Sequence, residues 1–249
     1  MGANLEHMVA TLEQELITGQ PDLALVVEND SLVLRGPFKL IKDGRHFDTY
    51  EIEVLVRALD LHQIPVVKEI GGRIPKNPDR HINDDGTACL FLPDERFRLC
   101  PPGTTIPDFL AGPVWNYFYS QSYFEECGTW PFGEHRHGLE GVLDFYSELT
   151  GMTETLSILK FLSYLVAKKV KPHWSCYCGS GTQLTACHLE ILTHCRSTIL
   201  RRDALQSYQL LKSTLPIHRN WLEKKSTKPK RNKNSFPDLA KTFPIFLKK

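Results

Sequence analysis

Cysteines punctuate this 249-residue chain at seven positions, and their uneven spacing separates two kinds of chemistry. Cys89, Cys100 and Cys127 stand apart, whereas Cys176, Cys178, Cys187 and Cys195 crowd together. An odd count with a C-x-C pair is not a disulfide ladder; in a reducing compartment, clustered cysteines hold metal or do chemistry. The stretch W-S-C-Y-C-G-S-G-T-Q-L-T-A-C-H offers soft or borderline donors at Cys176, Cys178, Cys187 and His188. Zinc fills a tetrahedron with such groups, and a site closed by protein ligands supplies folding energy rather than catalysis. The Gly-Ser-Gly between the pairs permits the tight reversal that brings them together. His194 or Cys195, further along, are alternatives for the last ligand.

Cys89 lies in a different setting, GGRIPKNPDRHINDDGTACLFLP over residues 71–93. A thiol that exchanges acyl groups must be reachable and must ionise without losing its nucleophilicity. Attack of an amine on the resulting thioester also needs a hydrogen-bond donor for the oxyanion. His81 and Asn83 precede the turn Asp84-Asp85-Gly86, and the Asn83 amide is the nearest candidate donor. Read alone, a cysteine before Leu-Phe-Leu is more often a small buried hydrophobe. A second polar block, Glu134-His135-Arg136-His137-Gly138, can tune a thiolate or a lysine, or simply fix a turn, and the turn is favoured.

The elements that must hold these groups follow from periodicity. Leu5, Met8, Val9, Leu12 and Leu16 form one stripe of an amphipathic first helix. The runs LALVVE, SLVLRG, FKLIK and FDTYEIEVLV, separated by END, GP and KDG, predict an antiparallel meander from Leu23 to Val67. In the last run Tyr50, Ile52, Val54 and Val56 alternate with Glu51, Glu53 and Leu55, so one face should be buried beneath helices. Residues 74–107 lack periodicity and read as a long functional loop. Helical patterns resume with IPDFLAGPVWNYFYSQSYF, GVLDFYSELTG and TETLSILKFLSYLVAKK, and after the Cys-rich knot LEILTHCRSTILRRDALQSYQLL reads as one further helix. The expected fold is α+β.

The bulk numbers set limits. With 41% hydrophobic and 24% charged residues the chain can bury one full core and a satellite. A net charge of +1 does not announce a nucleic acid or membrane partner for the whole molecule. The run KKSTKPKRNKN leaves nucleic acid as a minor option through phosphate charge, and a solvated tail is the commoner explanation. No secretory leader and no membrane span is visible, because the greasiest stretch, LSILKFLSYLVA, is broken by Lys160. A cytoplasmic location follows as an expectation. Neither G-x-x-x-x-G-K nor G-x-G-x-x-G occurs, so the chain should not itself activate a substrate with ATP.

The order of elements, with Arg80-His81, Asn83, Asp85-Gly86, Cys89-Leu90 and Pro93, then W-P-F-G-E-H-R-H-G-L-E-G-V-L-D-F-Y from Trp130 to Tyr146, resembles the ubiquitin-conjugating enzymes. The likeness is to their bacterial relatives in ubiquitin-like conjugation or antiviral defence systems, and covers about residues 1–150. It implies a ubiquitin-conjugating-like fold in which Cys89 accepts a ubiquitin-like protein from an activating enzyme as a thioester and passes it to a target amine. It also implies that His81 organises the loop and that Asn83 assists isopeptide formation. Ile82 stands where eukaryotic members carry proline, and the spacer to the cysteine is shorter. The Cys-rich stretch is similar to the SEC-C motif, a short zinc module, over residues 172–190. The expected division is a catalytic domain 1–150, a helical zinc-binding region 151–222 and a basic tail 223–249. A catalytically inactive scaffold that binds a ubiquitin-like protein, braced by zinc, is the alternative.

Overall fold

The computed structural model describes residues 2–29, 31–57, 63–132, 136 and 138–214. The basic tail and the histidines His135 and His137 lie outside the described residues. The chain divides into two compact units, 1–91 with 99–135, and 92–98 with 136–249.

The first unit is α+β. Helix α1 (Gly2–Gly19) is followed by strands β1 (Ala24–Glu28), β2 (Ser31–Lys42), β3 (Arg45–Arg57) and β4 (Val66–Glu69) in an antiparallel sheet of sequential order. Two expectations about these strands need correction. SLVLRG and FKLIK form one strand, β2, because Gly36 and Pro37 sit in register opposite Ile52 and Glu51 rather than turning the chain. Gly36 takes φ +137°, and a Cβ there would come within 2.7 Å of the Asp22 carbonyl, so the backbone passes where only glycine fits. The pairing of β1 with β2 ends at Arg35, which leaves Pro37 on a sheet edge, where a missing N–H costs no ladder bond. The fourth strand is instead VVKE, whose short pairing with Ile52–Leu55 carries too little alternation to stand out.

The alternation in β3 is as expected: Tyr50, Ile52, Val54 and Val56 are buried, and they meet Leu32, Leu34, Phe38 and Leu40 of β2 in one core. Helices cover this face. Leu12 and Leu16 come from α1, and a continuous helical run supplies Phe109, Leu110, Val114, Tyr117 and Phe118. That run comprises α3 (Ile106–Phe109), a π-turn (Leu110–Val114) and α4 (Trp115–Cys127). Pro113 lies inside the π-turn, and its missing N–H and ring displace the regular ladder there. Burying aliphatic and aromatic side chains from both layers stabilises each by about 1.5–3 kcal/mol.

The second unit is helical. It contains α5 (Gly138–Thr150), α6 (Thr155–Leu165), the cysteine knot, α7 (Leu189–Thr198) and α8 (Arg201–Thr214) around a separate core of Phe145, Tyr146, Phe161, Leu162, Leu192 and Leu211. The chain stretch expected as one last helix is two, because Ile199 is extended (φ −84°, ψ 127°) and breaks it. The expected boundary at 150 also moves. Helix α5 buries Val142, Phe145, Tyr146 and Leu149 in this second core, and residues 92–98 leave the first unit to join it. The short helix α2 (Arg96–Leu99) lies at the end of that excursion. There Asp94 accepts hydrogen bonds from the Tyr146 and Ser207 hydroxyls, and Arg96 stands 3.3 Å from Asp203. Among the described residues no helix is long and apolar enough to cross a membrane.

Candidate functional site

Cys89 sits at the foot of a small hairpin built from the loop. A 3₁₀ turn, Pro78–Arg80, is capped at its start by the Asn77 side chain and closed by His81 in the left-handed conformation (φ 52°). Ile82 then bridges Ala88, and the Asn83 N–H donates to the Thr87 carbonyl at 2.8 Å. The three residues between Asn83 and Thr87 end in Gly86 with φ +80°, as a hairpin loop with a left-handed last residue requires. Ile82 is buried and Ala88 packs against the core, so these two pin the hairpin to the first unit. The Ala88 N–H donates to Val67 of β4 at 2.7 Å, and the Cys89 N–H donates to the His81 carbonyl at 2.8 Å.

The sequence-predicted trio is therefore brought together through the backbone. His81 and Cys89 share the base of the hairpin, and Asn83 lies one step further from it. The Asn83 amide donates to the Thr87 hydroxyl at 2.9 Å, and that hydroxyl donates to Asp85 at 2.6 Å. One amide hydrogen remains for another acceptor. The His81 ring lies edge-on to Trp130, at 4.8 Å and 83°, and Trp130 stacks on Phe124 at 4.5 Å.

Sequence reasoning missed the support behind this hairpin. Helix α4 presents Tyr117, Gln121 and Glu125 at spacing i, i+4, i+8, one stripe of a helix. The Tyr117 hydroxyl donates to the Arg80 and His81 carbonyls at 3.3 and 3.2 Å. Gln121, fully buried, donates to the Arg80 carbonyl at 2.8 Å and accepts from the Arg80 guanidinium at 2.9 Å. Arg80 also pairs with Glu125 at 3.0 Å and lies over the Phe124 ring. Glu125 continues to Arg73, which grips Asp48 through two bonds of 2.7 Å. The sequence WNYFYSQSYFEEC places Tyr117, Gln121 and Glu125 on one stripe, but it mixes aromatic and polar residues and gives no sign that this stripe faces the loop.

Electrostatics follow from this packing. Burial pushes the Cys89 thiol above its ordinary value, so the sulfur is protonated at neutral pH. Burial likewise raises the Tyr117 hydroxyl, and the neighbouring Cys89 sulfur adds to the rise. The Arg73 guanidinium beside Asp48 lowers that carboxyl to about 2. Cys89 is only partly exposed and is a nucleophile only after losing a proton.

In the second unit, the Cys176 N–H donates to Thr182 and the Leu184 N–H to Trp174, with Ser175 bridging Gln183, so a miniature hairpin carries the first pair of cysteines. Gly179 and Gly181, at φ 79° and 77°, make its turn. A 3₁₀ turn, Leu184–Ala186, then delivers Cys187 and His188. The donor atoms of Cys176, Cys178, Cys187 and His188 all lie within 4.8 Å of one another. His188 Nδ1 is 3.2 Å from the Cys176 sulfur and 3.0 Å from that of Cys187, and the Cys178 and Cys187 sulfurs are 3.5 Å apart. A cluster of this kind can hold a metal ion. The donor set is the one expected; Cys195 is buried among helices, where desolvation pushes its thiol up to about 12, and takes no part. The Cys178 thiol is lowered and that of Cys176 raised, chiefly by the hydrogen bond between them, so the pair divides one proton unequally. The Tyr177 hydroxyl donates to the His188 carbonyl at 3.2 Å, and the Lys160 ammonium donates to the Cys176 carbonyl at 2.9 Å, bracing the knot.

Comparison of this chain with protein-family models, with characterised proteins and with solved structures finds no match.

Proposed function

We propose that this chain is a ubiquitin-conjugating-type acyltransferase that carries a ubiquitin-like protein as a thioester on Cys89. The observation that carries the reading is the placement of Cys89, a partly exposed thiol at the foot of a hairpin whose backbone is locked to His81 and β4. The meander, the loop and the covering helices support a ubiquitin-conjugating-like fold for the first unit. In the first step Cys89 loses its proton, and its sulfur attacks the carbonyl carbon of the thioester on a separate activating enzyme, whose thiolate leaves. In the second a target amine attacks the same carbonyl, and the Cys89 thiolate is the leaving group. The free hydrogen of the Asn83 amide is the donor offered to the oxyanion.

We take the ion of the knot to be zinc, held by Cys176, Cys178, Cys187 and His188. A tetrahedron with Zn–S of about 2.3 Å and Zn–N of about 2.0 Å has edges of roughly 3.5–3.8 Å, which fall within the spread of the donor separations, from 3.0 Å to at most 4.8 Å. With every position filled by protein, its part is structural. A bacterial conjugation or antiviral system and a cytoplasmic location are the setting proposed for such an enzyme.

One observation favours a second reading. Burial raises the Cys89 thiol, as it does for a cysteine that merely packs, and a scaffold that binds a ubiquitin-like protein without carrying it would keep the same hairpin. Incubation with an activating enzyme, ATP and a ubiquitin-like protein separates the two. An adduct released by a thiol reductant and lost in Cys89→Ala is expected; binding with no such adduct leaves the scaffold.

A further inference from the structure

The two units carry opposite charge. By sequence the unit bearing Cys89 holds 9 Lys and Arg against 19 Asp and Glu, a formal −10, and the unit bearing the knot holds 21 against 10, a formal +11. A near-neutral total conceals this split. Within the described helices and knot, from Thr155 to Thr214, eight basic residues meet only Glu190 and Asp203, and Asp203 is buried. The surplus is not quenched locally, since Lys168, Lys169 and Lys171 are exposed and form no ion pair among the described residues.

Part of this charge has a concave address. An open groove of about 390 Å³ runs between the 168–170 segment and α7, with Val170, Leu189 and Leu192 along it and Lys168, Lys169 and Arg196 supplying its cations. Arg196 is fixed in place. Its Nη1 donates to the Tyr164 and Leu165 carbonyls at 2.6 and 2.7 Å, capping the end of α6 and leaving Nε and Nη2 for another acceptor. A guanidinium held this way presents a planar fork that matches a phosphate, and the lysines add strongly hydrated point charges. The groove is open to solvent, its three cations come from two separate segments, and ten further Lys and Arg follow residue 214 against two acidic residues, so the ligand that fits is an extended polyanion rather than a single small anion.

We propose that this groove binds the backbone of a nucleic acid, with Lys168, Lys169 and Arg196 taking phosphates. The inference stands on the second unit alone and does not depend on the chemistry of Cys89. Displacement of counterions from phosphates makes such binding weaken steeply with salt, by about 0.7–0.9 in the logarithmic slope for each contact.

The test is fluorescence anisotropy of a labelled mixed-sequence oligonucleotide, longer than the roughly 16 nucleotides such grooves cover, with the zinc-loaded full chain at 50 to 200 mM salt. Saturable binding is expected, weakened at least tenfold in K168E/K169E, with the salt slope smaller by about 1.5. The substituted lysines are exposed, and an unchanged melting temperature and zinc content checks that the fold survives. R196K, which keeps the charge and loses the fork, should weaken binding less than the double variant. No binding at 50 mM salt overturns the proposal. So does a double variant that binds as tightly as the parent, which would assign affinity to the tail. Self-association abolished by K168E/K169E without oligonucleotide binding also overturns it, and gives the groove to the acidic unit of a second copy.

Discussion

The two cysteine sites are built by opposite strategies. The knot gathers its donors from thirteen consecutive residues, Cys176–His188, so that turn geometry alone nearly assembles it. Cys89 is bonded to nearby His81, but the hairpin that carries both is held by more distant parts of the chain: Val67 of β4, which accepts from Ala88, and a helix stripe from Tyr117 to Glu125 that grips Arg80 and His81. A local site can be switched off by removing one ligand. A site held by distributed hydrogen bonds should degrade by degrees.

The largest effect should come from Cys178→Ser, or from chelation. Losing one ligand of a closed metal site forfeits much of a binding energy that reaches roughly 10 kcal/mol in small zinc modules. With the proposed zinc bound, metal content should fall from about one per chain, and amide exchange should quicken across the knot and α7 while β2 and β3 stay protected. Collapse of the sheet as well would show that the local site is not local. Next is Gln121→Leu, which strips the Arg80 carbonyl and guanidinium of a buried partner and should cost about 1–3 kcal/mol in urea unfolding. It should also speed alkylation of Cys89 by iodoacetamide; an unchanged rate would disconnect the helix stripe from the thiol.

Smaller is the acid response. Asp48 lies near 2 in the folded unit and at the usual 3.8 when unfolded, so its pairing with Arg73 stabilises above pH about 4 and drains away as the pH falls toward 2. With partial exposure discounted, the contribution is about 1 kcal/mol. The stability gap between parent and Arg73→Ala should therefore narrow from pH 7 to pH 2.5. Because the Cys89 thiol is raised, its alkylation should climb from pH 7 to pH 9 without a plateau; a plateau at neutral pH would mean an ionised sulfur. The smallest structural change is expected from Asn83→Ala, which is exposed and should alter stability by about 0.5 kcal/mol or less. Transfer to an amine should slow while thioester formation persists, and equal loss of both steps would remove the role given to its amide.

What the sequence made legible follows the same contrast. The cluster of Cys176, Cys178, Cys187 and His188 could be read because spacing, glycine turns and side-chain chemistry are all local. The alternation in β3 was equally plain, since one buried face imposes a period of two residues. Gly36-Pro37 misled because that pair usually turns the chain, whereas here β3 continues alongside it and the pairing with β1 has ended at Arg35, so the proline lacks no ladder bond and the strand continues. The four residues of β4 were invisible because their pairing is decided by β3. Tyr117 and Gln121 looked like ordinary helix residues, since their partners, the carbonyls of Arg80 and His81, have no signature in the one-letter code. The change of unit at residue 92 was hidden for the same reason: Asp94 finds Ser207 more than a hundred positions away.

That excursion of residues 92–98 has a consequence for anyone wishing to dissect the molecule. The polypeptide passes from one unit to the other at three points, after Phe91, after Arg98 and after His135, so no single cut yields two intact halves. A fragment ending at 135 would expose Asp94 and Arg96 with nothing to satisfy them, and one starting at 136 would strand Tyr146, Ser207 and Asp203 inside a core missing its lid. Threaded in this way, the half that carries the Cys/His cluster is sewn in rather than appended, and the two must be expressed and purified as one piece.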